Sequence, residues 1–118
     1  MNSYKNSFYY TDIVIDKLLK KLERKNALVI YSSDHGLSLG ENGFFGNASK
    51  DALAKKEQTD IAMFMWFSRH FIEKNPGILE KVKKHSKNLV SQDYIFHSIL
   101  GCAGVKSTYI DPSLSFCK

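Results

Sequence analysis

The sequence predicts an α/β domain, and three observations carry that reading. A short apolar run, Leu28-Val29-Ile30-Tyr31, has the length and the β-branched, aromatic character of a buried strand. A second continuous run, Ile61 to Phe67, reads as another buried strand. Around them lie three stretches with apolar residues at helical spacing, 11–25, 78–87 and 91–101. At 118 residues and 43% apolar content, the chain has material for one modest core, or part of one, and not for two.

The first helix is expected over Thr11 to Lys25. Ile15, Leu18, Leu19 and Leu22 line one side and Lys17, Lys20, Lys21 and Arg24 the other, the pattern of a helix lying on a sheet. Thr11 or Asp12 would cap it, unless the aromatic Tyr4 to Tyr10 segment forms an earlier turn of the same helix. Lys25-Asn26 then gives a short connection into the first strand. That strand stops at two serines and Asp34-His35-Gly36. Ligands of open α/β sheets bind beyond the carboxyl ends of strands, so Asp34 and His35 stand where a site usually forms. Both are ligand types suited to zinc or manganese. Taken alone, they also read as a turn-capping aspartate and a hydrogen-bonded histidine at a strand end. Gly36 would let the backbone turn sharply, and Gly40 and Gly43 would keep the next segment close to a bound group.

From Gly36 to Gln58 no period is visible, and the stretch reads either as a functional loop or as a plain disordered insert. Met63, Met65 and Trp66 in the second strand read as core. Ser68 is expected to cap a short helical turn through Arg69, His70 and Phe71, and Asn75-Pro76-Gly77 to break the chain. In the helix from Ile78 to Lys87, Leu79 and Val82 face inward and Lys81, Lys83, Lys84 and Lys87 face water. In the helix from Ser91 to Gly101, Asp93 suits the positive end of the dipole, and Ile95, Phe96, Ile99 and Leu100 form the inner side. Two cysteines make no disulfide framework, and their spacing suits no metal motif. Cys102 reads as a buried helix residue and Cys117 as a tail thiol whose oxidised partner, if any, lies outside the chain.

Net charge is +5, but the lysines fall on helix faces and no aromatic-and-basic repeat accompanies them, which argues against nucleic acid. The longest apolar stretches are far too short to cross a bilayer, so there is no transmembrane segment, and no secretory signal opens the chain. On that reading the chain by itself would stay soluble and cytoplasmic.

The longer pattern around the Asp-His pair is more specific. Ser33 to Gly43 reads S-D-H-G-L-S-L-G-E-N-G, followed by Glu57-Gln58-Thr59 and by Met63 to Ser68. It resembles the lipid A phosphoethanolamine transferases of the alkaline phosphatase and sulfatase superfamily. Asn2 to Asp12 resembles the family's N-x-Y-D-N-x-hydrophobic-x-Y-T-D segment, with Lys5 in place of an acidic residue. Gln92 to Gly101 resembles a family helix near the carboxyl end, which makes His97 a family position, packed or hydrogen-bonded in role. Tyr109 to Leu114 is similar to the terminal Y-x-P-x-L segment. His70 falls on a surface turn of the family and is structural.

The resemblance implies that residues 1–118 are the C-terminal part of an alkaline phosphatase-like (sulfatase-like) α/β sheet with flanking helices. It implies zinc as cofactor, with Asp34 and His35 as metal ligands. It implies a phospholipid donor, phosphatidylethanolamine, and lipid A or another surface glycan as acceptor, in an inner-membrane enzyme with a periplasmic catalytic domain. The threonine nucleophile, the other ligand and the membrane helices have no counterpart here, so a complementing N-terminal portion is the partner implied. Several positions depart from the family. Asn47 occupies the position of a histidine that contacts the transferred group, and an asparagine can donate a hydrogen bond but cannot shuttle protons. Leu37 replaces the glutamate after S-D-H-G, and Ala62 replaces a proline. The alternatives are therefore a catalytically inactive remnant or small binding domain, or a piece of another sulfatase-like hydrolase.

Overall fold

The first helix outruns its apolar period. In the computed structural model, which describes residues 2–47 and 56–118, α1 spans Asn2–Leu22. Thr11 and Asp12 therefore lie inside it and not at its start, and Thr11 Oγ1 donates back to the Ser7 carbonyl at 3.0 Å. The aromatic segment supports the added turns, since Tyr4 and Phe8, four residues apart, meet edge to face at 4.8 Å. Ile15, Leu19 and Leu22 are half-buried as expected, but Leu18 is 46% exposed. Period locates an apolar stripe without saying what covers it.

The two apolar runs form β1 (Leu28–Ser32) and β4 (Met63–Phe67), which pair in a two-stranded sheet. Tyr31 stacks on Phe64 at 5.0 Å, and Ser33 N–H donates to the Ala62 carbonyl at 3.0 Å, a register that runs the strands antiparallel. Neither strand is fully buried; every residue of β1 is half-buried, because a sheet of two strands covers little of its own faces. Between them, β2 (Ser38–Leu39) and β3 (Phe45–Gly46) make a small antiparallel hairpin around a 3-10 turn, and α2 (Lys56–Thr59) leads into β4. The stretch that shows no period in the sequence thus carries short elements on either side of residues 48–55, which lie outside the described residues.

Ser68 caps α3 (Arg69–Lys74) as expected. Its buried hydroxyl accepts from Phe71 N–H and also from Ala27 N–H, each at 3.1 Å, so one side chain serves two backbone groups. Asn75 ends that helix, and α4 (Ile78–His85) and α5 (Asp93–Cys102) follow. On α5 the buried residues are Ser98, Gly101 and Cys102, while Phe96 and Ile99, expected inside, are 54% and 51% exposed. The tail decides which face is inward. Phe116 N–H donates to Ser98 Oγ at 3.0 Å, and the Ser115 hydroxyl occupies the space that a Cβ on Gly101 would need.

The same approach corrects the reading of the cysteines: Cys117 is not a tail thiol but forms a disulfide with Cys102, and both are buried. Phe71, Ile78, Ile110 and Phe116 are the other buried apolar residues among those described, and Phe116 meets Tyr94 at 5.0 Å and His85 at 5.5 Å. His97 is hydrogen-bonded, accepting from Asp111 N–H at Nδ1, 3.0 Å away. Asp111 in turn caps the 3-10 turn Pro112–Leu114, its Oδ1 accepting from Ser113 Oγ at 2.7 Å and Ser113 N–H at 2.8 Å.

By contact density the chain divides into two compact units, Met1–Leu28 with Phe67–Lys118, and Val29–Trp66. The second unit holds the Asp-His-Gly motif, and its internal tie is Gly36. Gly36 N–H donates to the Gln58 carbonyl at 2.8 Å, and a Cβ here would collide with the Glu57 carbonyl oxygen and lie 3.1 Å from Gln58 Cα. Gly36 is not among the positive-φ glycines, so what the position requires is space for a neighbouring backbone and not a left-handed turn. Beside it, Gln58 Nε2 donates to Ser38 Oγ at 3.0 Å, a pair of buried polar side chains that satisfy each other.

Three predictions follow from these contacts. Gly36→Ala is expected to destabilise the fold by about 1–3 kcal/mol, measured by urea unfolding, because backbone and not a flexible side chain must move. Reduction of the Cys102–Cys117 disulfide, which closes a 15-residue separation, is expected to cost about 3 kcal/mol in the same assay. The two Ser113 hydrogen bonds hold the Asp111 carboxyl below the usual aspartate value, the hydroxyl contributing more than the backbone. That stabilisation is present above the unfolded pKa and is lost as pH falls through the lower folded one. Ser113→Ala should move the Asp111 midpoint part of the way back up in a carboxyl NMR titration.

Candidate metal centre

β1 ends at Ser32, and the next three residues turn their polar groups on one another. Ser33 Oγ donates to the His35 carbonyl at 2.8 Å, and Asp34 Oδ1 accepts from His35 N–H at 3.0 Å. These local bonds fix the backbone that carries both candidate ligands, and the Gly36 contact with Gln58 fixes its far end. The imidazole is oriented as well. His35 Nδ1 lies 2.9 Å from the Gly36 carbonyl oxygen, which can only accept, so in the neutral ring Nδ1 carries the proton and Nε2 the lone pair.

His35 Nε2 and Asp34 Oδ2 are 3.7 Å apart, and the two side chains are 49% and 87% exposed. Two ligands each about 2.0–2.2 Å from a tetrahedral zinc stand roughly 3.4 Å apart, so the pair fits one ion with a small adjustment of the aspartate. A neutral imidazole nitrogen held by an N–H···O bond on its other side is also the usual form of a metal-ligating histidine. Among the described residues, no group of three or more His, Cys, Asp or Glu side chains is placed to hold an ion. The chain thus offers two protein ligands where a catalytic zinc usually has about three.

Asn47, the other residue singled out in the sequence, is brought to the same place. β3 carries it to the histidine from twelve residues away, and its Nδ2 lies 2.7 Å from His35 Nε2 and 3.3 Å from Nδ1. Gly40, at φ 116°, lies under the Phe45 ring, where a Cβ would have no room, and so closes the hairpin. Glu41 Oε2 accepts from Leu39 N–H at 2.6 Å, bracing the same turn. The sequence marked Glu57-Gln58-Thr59 only as a motif; its contribution is the Gln58 backbone and amide that Gly36 and Ser38 rest against. His70 is exposed on α3 and takes no part.

Comparison with known proteins sets this geometry in a family. The sulfatase family model matches residues 1–105. The phosphoethanolamine transferase EptA of Helicobacter pylori is 37% identical over 103 residues, 86% of this chain and 19% of the relative. EptA of Salmonella typhimurium is 34% identical over 114 residues, 92% of this chain and 21% of the relative. The chain therefore spans about a fifth of the length of these relatives. Among solved structures, the soluble domain of lipooligosaccharide phosphoethanolamine transferase A from Neisseria meningitidis superposes with a TM-score of 0.88 at 36% identity, covering 98% of this chain and 36% of that domain. The C-terminal periplasmic domain of phosphoethanolamine transferase EptC from Campylobacter jejuni gives 0.85 at 32% identity, covering 99% and 37%. The strand-end site lies inside the family match, and the chain belongs to the sulfatase family.

Proposed function

We propose that this chain supplies the C-terminal part of a zinc-dependent phosphoethanolamine transferase, one that moves phosphoethanolamine from phosphatidylethanolamine to lipid A or a related surface glycan. The observation that carries the reading is the convergence of Asp34 Oδ2 and His35 Nε2 to 3.7 Å at the end of β1, in a fold that matches phosphoethanolamine transferase domains along nearly its whole length. Zinc held there would place positive charge against phosphoryl oxygens and lower the pKa of a bound nucleophile. Asp34 contributes a negative charge and His35 a neutral nitrogen whose tautomer the Gly36 carbonyl sets. Ser33 and the Gly36 to Gln58 bond keep the two from drifting apart.

Two other features support a chain that works with the remainder of a sulfatase-like domain, on whichever polypeptide that remainder resides. Tyr10, Val14 and Leu18, spaced four apart on α1, are 69%, 48% and 46% exposed, an apolar stripe left uncovered by the described residues. The solved domains extend well beyond the third of their length matched here. The disulfide bears on location. Such bonds persist in oxidising compartments, which favours the periplasm over the cytoplasm expected from the sequence. No described helix is long and apolar enough to cross a membrane.

A second reading, a remnant without catalysis, is favoured by the Asn47 amide at His35 Nε2 and by the two-ligand count. Zinc calorimetry and complementation separate them. The 118-residue chain by itself is expected to bind zinc more weakly than micromolar, to lose binding in His35→Ala and Asp34→Ala, and to transfer nothing. Co-expressed with the remaining N-terminal part of the Helicobacter pylori relative, it should restore transfer, seen as added phosphoethanolamine mass on lipid A and abolished by Asp34→Ala. A stable complex that binds the donor lipid yet transfers nothing would favour the remnant.

A further inference from the structure

The hairpin of β2 and β3 is inside out with respect to water. Side chains alternate across a strand, and Leu39 and Phe45, directly opposed in the register, stand on the same face of the ribbon. Ser38, next to Leu39, is on the other face, 1% exposed and bonded to Gln58 Nε2. The polar residue is thus inward and the apolar pair outward, with Phe45 76% and Leu39 38% exposed. An antiparallel ribbon at a wet surface has the opposite pattern. The exposed ring is also held in place, since it lies so close to Gly40 that a Cβ there would come within 2.7 Å of its Cζ. Glu41, the one charged residue in the sequence from Ser38 to Asn47, accepts from the Leu39 N–H at 2.6 Å, which ties it to the hairpin backbone.

We propose that Leu39 and Phe45 form an interfacial anchor: they enter the apolar edge of a phospholipid bilayer and set Asp34 and His35 at the depth of its headgroup phosphates. The proposal rests on the transferase reading above and names how that site reaches a lipid substrate. The dimensions agree. Phe45 precedes Asn47 by two residues, at most about 7 Å of chain, and the Asn47 amide lies against the His35 ring. The headgroup layer on each side of a bilayer is about 5–8 Å deep. A ring at the boundary of the acyl chains therefore leaves the imidazole among the phosphates. The contact is apolar and not ionic, because the sequence from Ser38 to Asn47 carries no lysine or arginine to hold a phosphate directly.

The test uses the 118-residue chain and vesicles of phosphatidylethanolamine and phosphatidylcholine, without zinc and at high salt, so that neither the metal nor the net positive charge drives binding. Trp66 is the only tryptophan of the chain and lies in β4, so Phe45→Trp adds a reporter on the hairpin. At millimolar lipid with brominated acyl chains, the added emission of Phe45→Trp is expected to shift to the blue and to be quenched, while that of the parent is unchanged. Phe45→Ala and Leu39→Gln are each expected to weaken co-sedimentation with the vesicles about five- to tenfold. Leu39→Gln leaves the ring over Gly40 in place, so loss of the hairpin would not account for both. Equal quenching in parent and Phe45→Trp, or sedimentation unchanged in both other variants, would overturn the proposal. So would a Phe45→Trp emission that ignores vesicles and shifts only when the complementing N-terminal part is added, which would assign the face to that part. Zinc binding and transfer are read separately. Transfer by the complemented protein without vesicle insertion would sink the anchor alone, and insertion by a chain that binds no zinc, by itself or complemented, would sink the transferase reading and leave the anchor standing.

Discussion

The contact between Gly36 and the backbone of residues 57 and 58 is the constraint on which the site depends. Two segments far apart in sequence touch main chain to main chain, with one hydrogen bond and no room for a Cβ. This contact holds Gly36, the residue whose carbonyl faces His35 Nδ1 and sets the imidazole tautomer. Because Gln58 also reaches Ser38, the same contact positions the start of the hairpin that brings Asn47 round to the histidine. A single absent side chain thus links the candidate ligand pair, the hairpin and the second motif.

The other unit is held by a related device. Ser68, Ser98 and Ser115 are almost wholly buried, and each hydroxyl accepts a backbone N–H: Ser68 from Ala27 and Phe71, Ser98 from Phe116, and Ser115 from Cys117 two residues on. Such small polar residues let backbones approach while leaving no buried donor unsatisfied, a cost that a larger apolar residue at the same place would incur. Among the described residues no buried side-chain nitrogen or oxygen lacks a partner. Tyr94, Phe116 and His85 add an aromatic cluster, but Ser98, Ser115 and Gly101 decide which face of α5 turns inward.

At the candidate centre, the imidazole is oriented by neighbours on two segments of chain. His35 Nδ1 faces the Gly36 carbonyl at 2.9 Å, and the Asn47 amide, brought round by the hairpin, lies against the ring. Nε2 of the same ring is 3.7 Å from Asp34 Oδ2, so the two candidate ligands stand together at the strand end.

What the sequence determined by itself is the set of local elements and the chemical type of the site. Leu28 to Tyr31 and Ile61 to Phe67 could be read as strands, Ser68 as a cap, and Asp34 and His35 as ligand candidates, because strand length, capping chemistry and donor type are properties of residues close in sequence. Tertiary structure decided the rest. The pairing of Cys102 with Cys117, the inward face of α5, the reason for Gly36 and the arrival of Asn47 at His35 all depend on segments that meet in space after long detours of chain. Periodicity shows that a face is apolar, but only the neighbour that packs against it determines whether it is buried, which is why Leu18, Phe96 and Ile99 remain exposed.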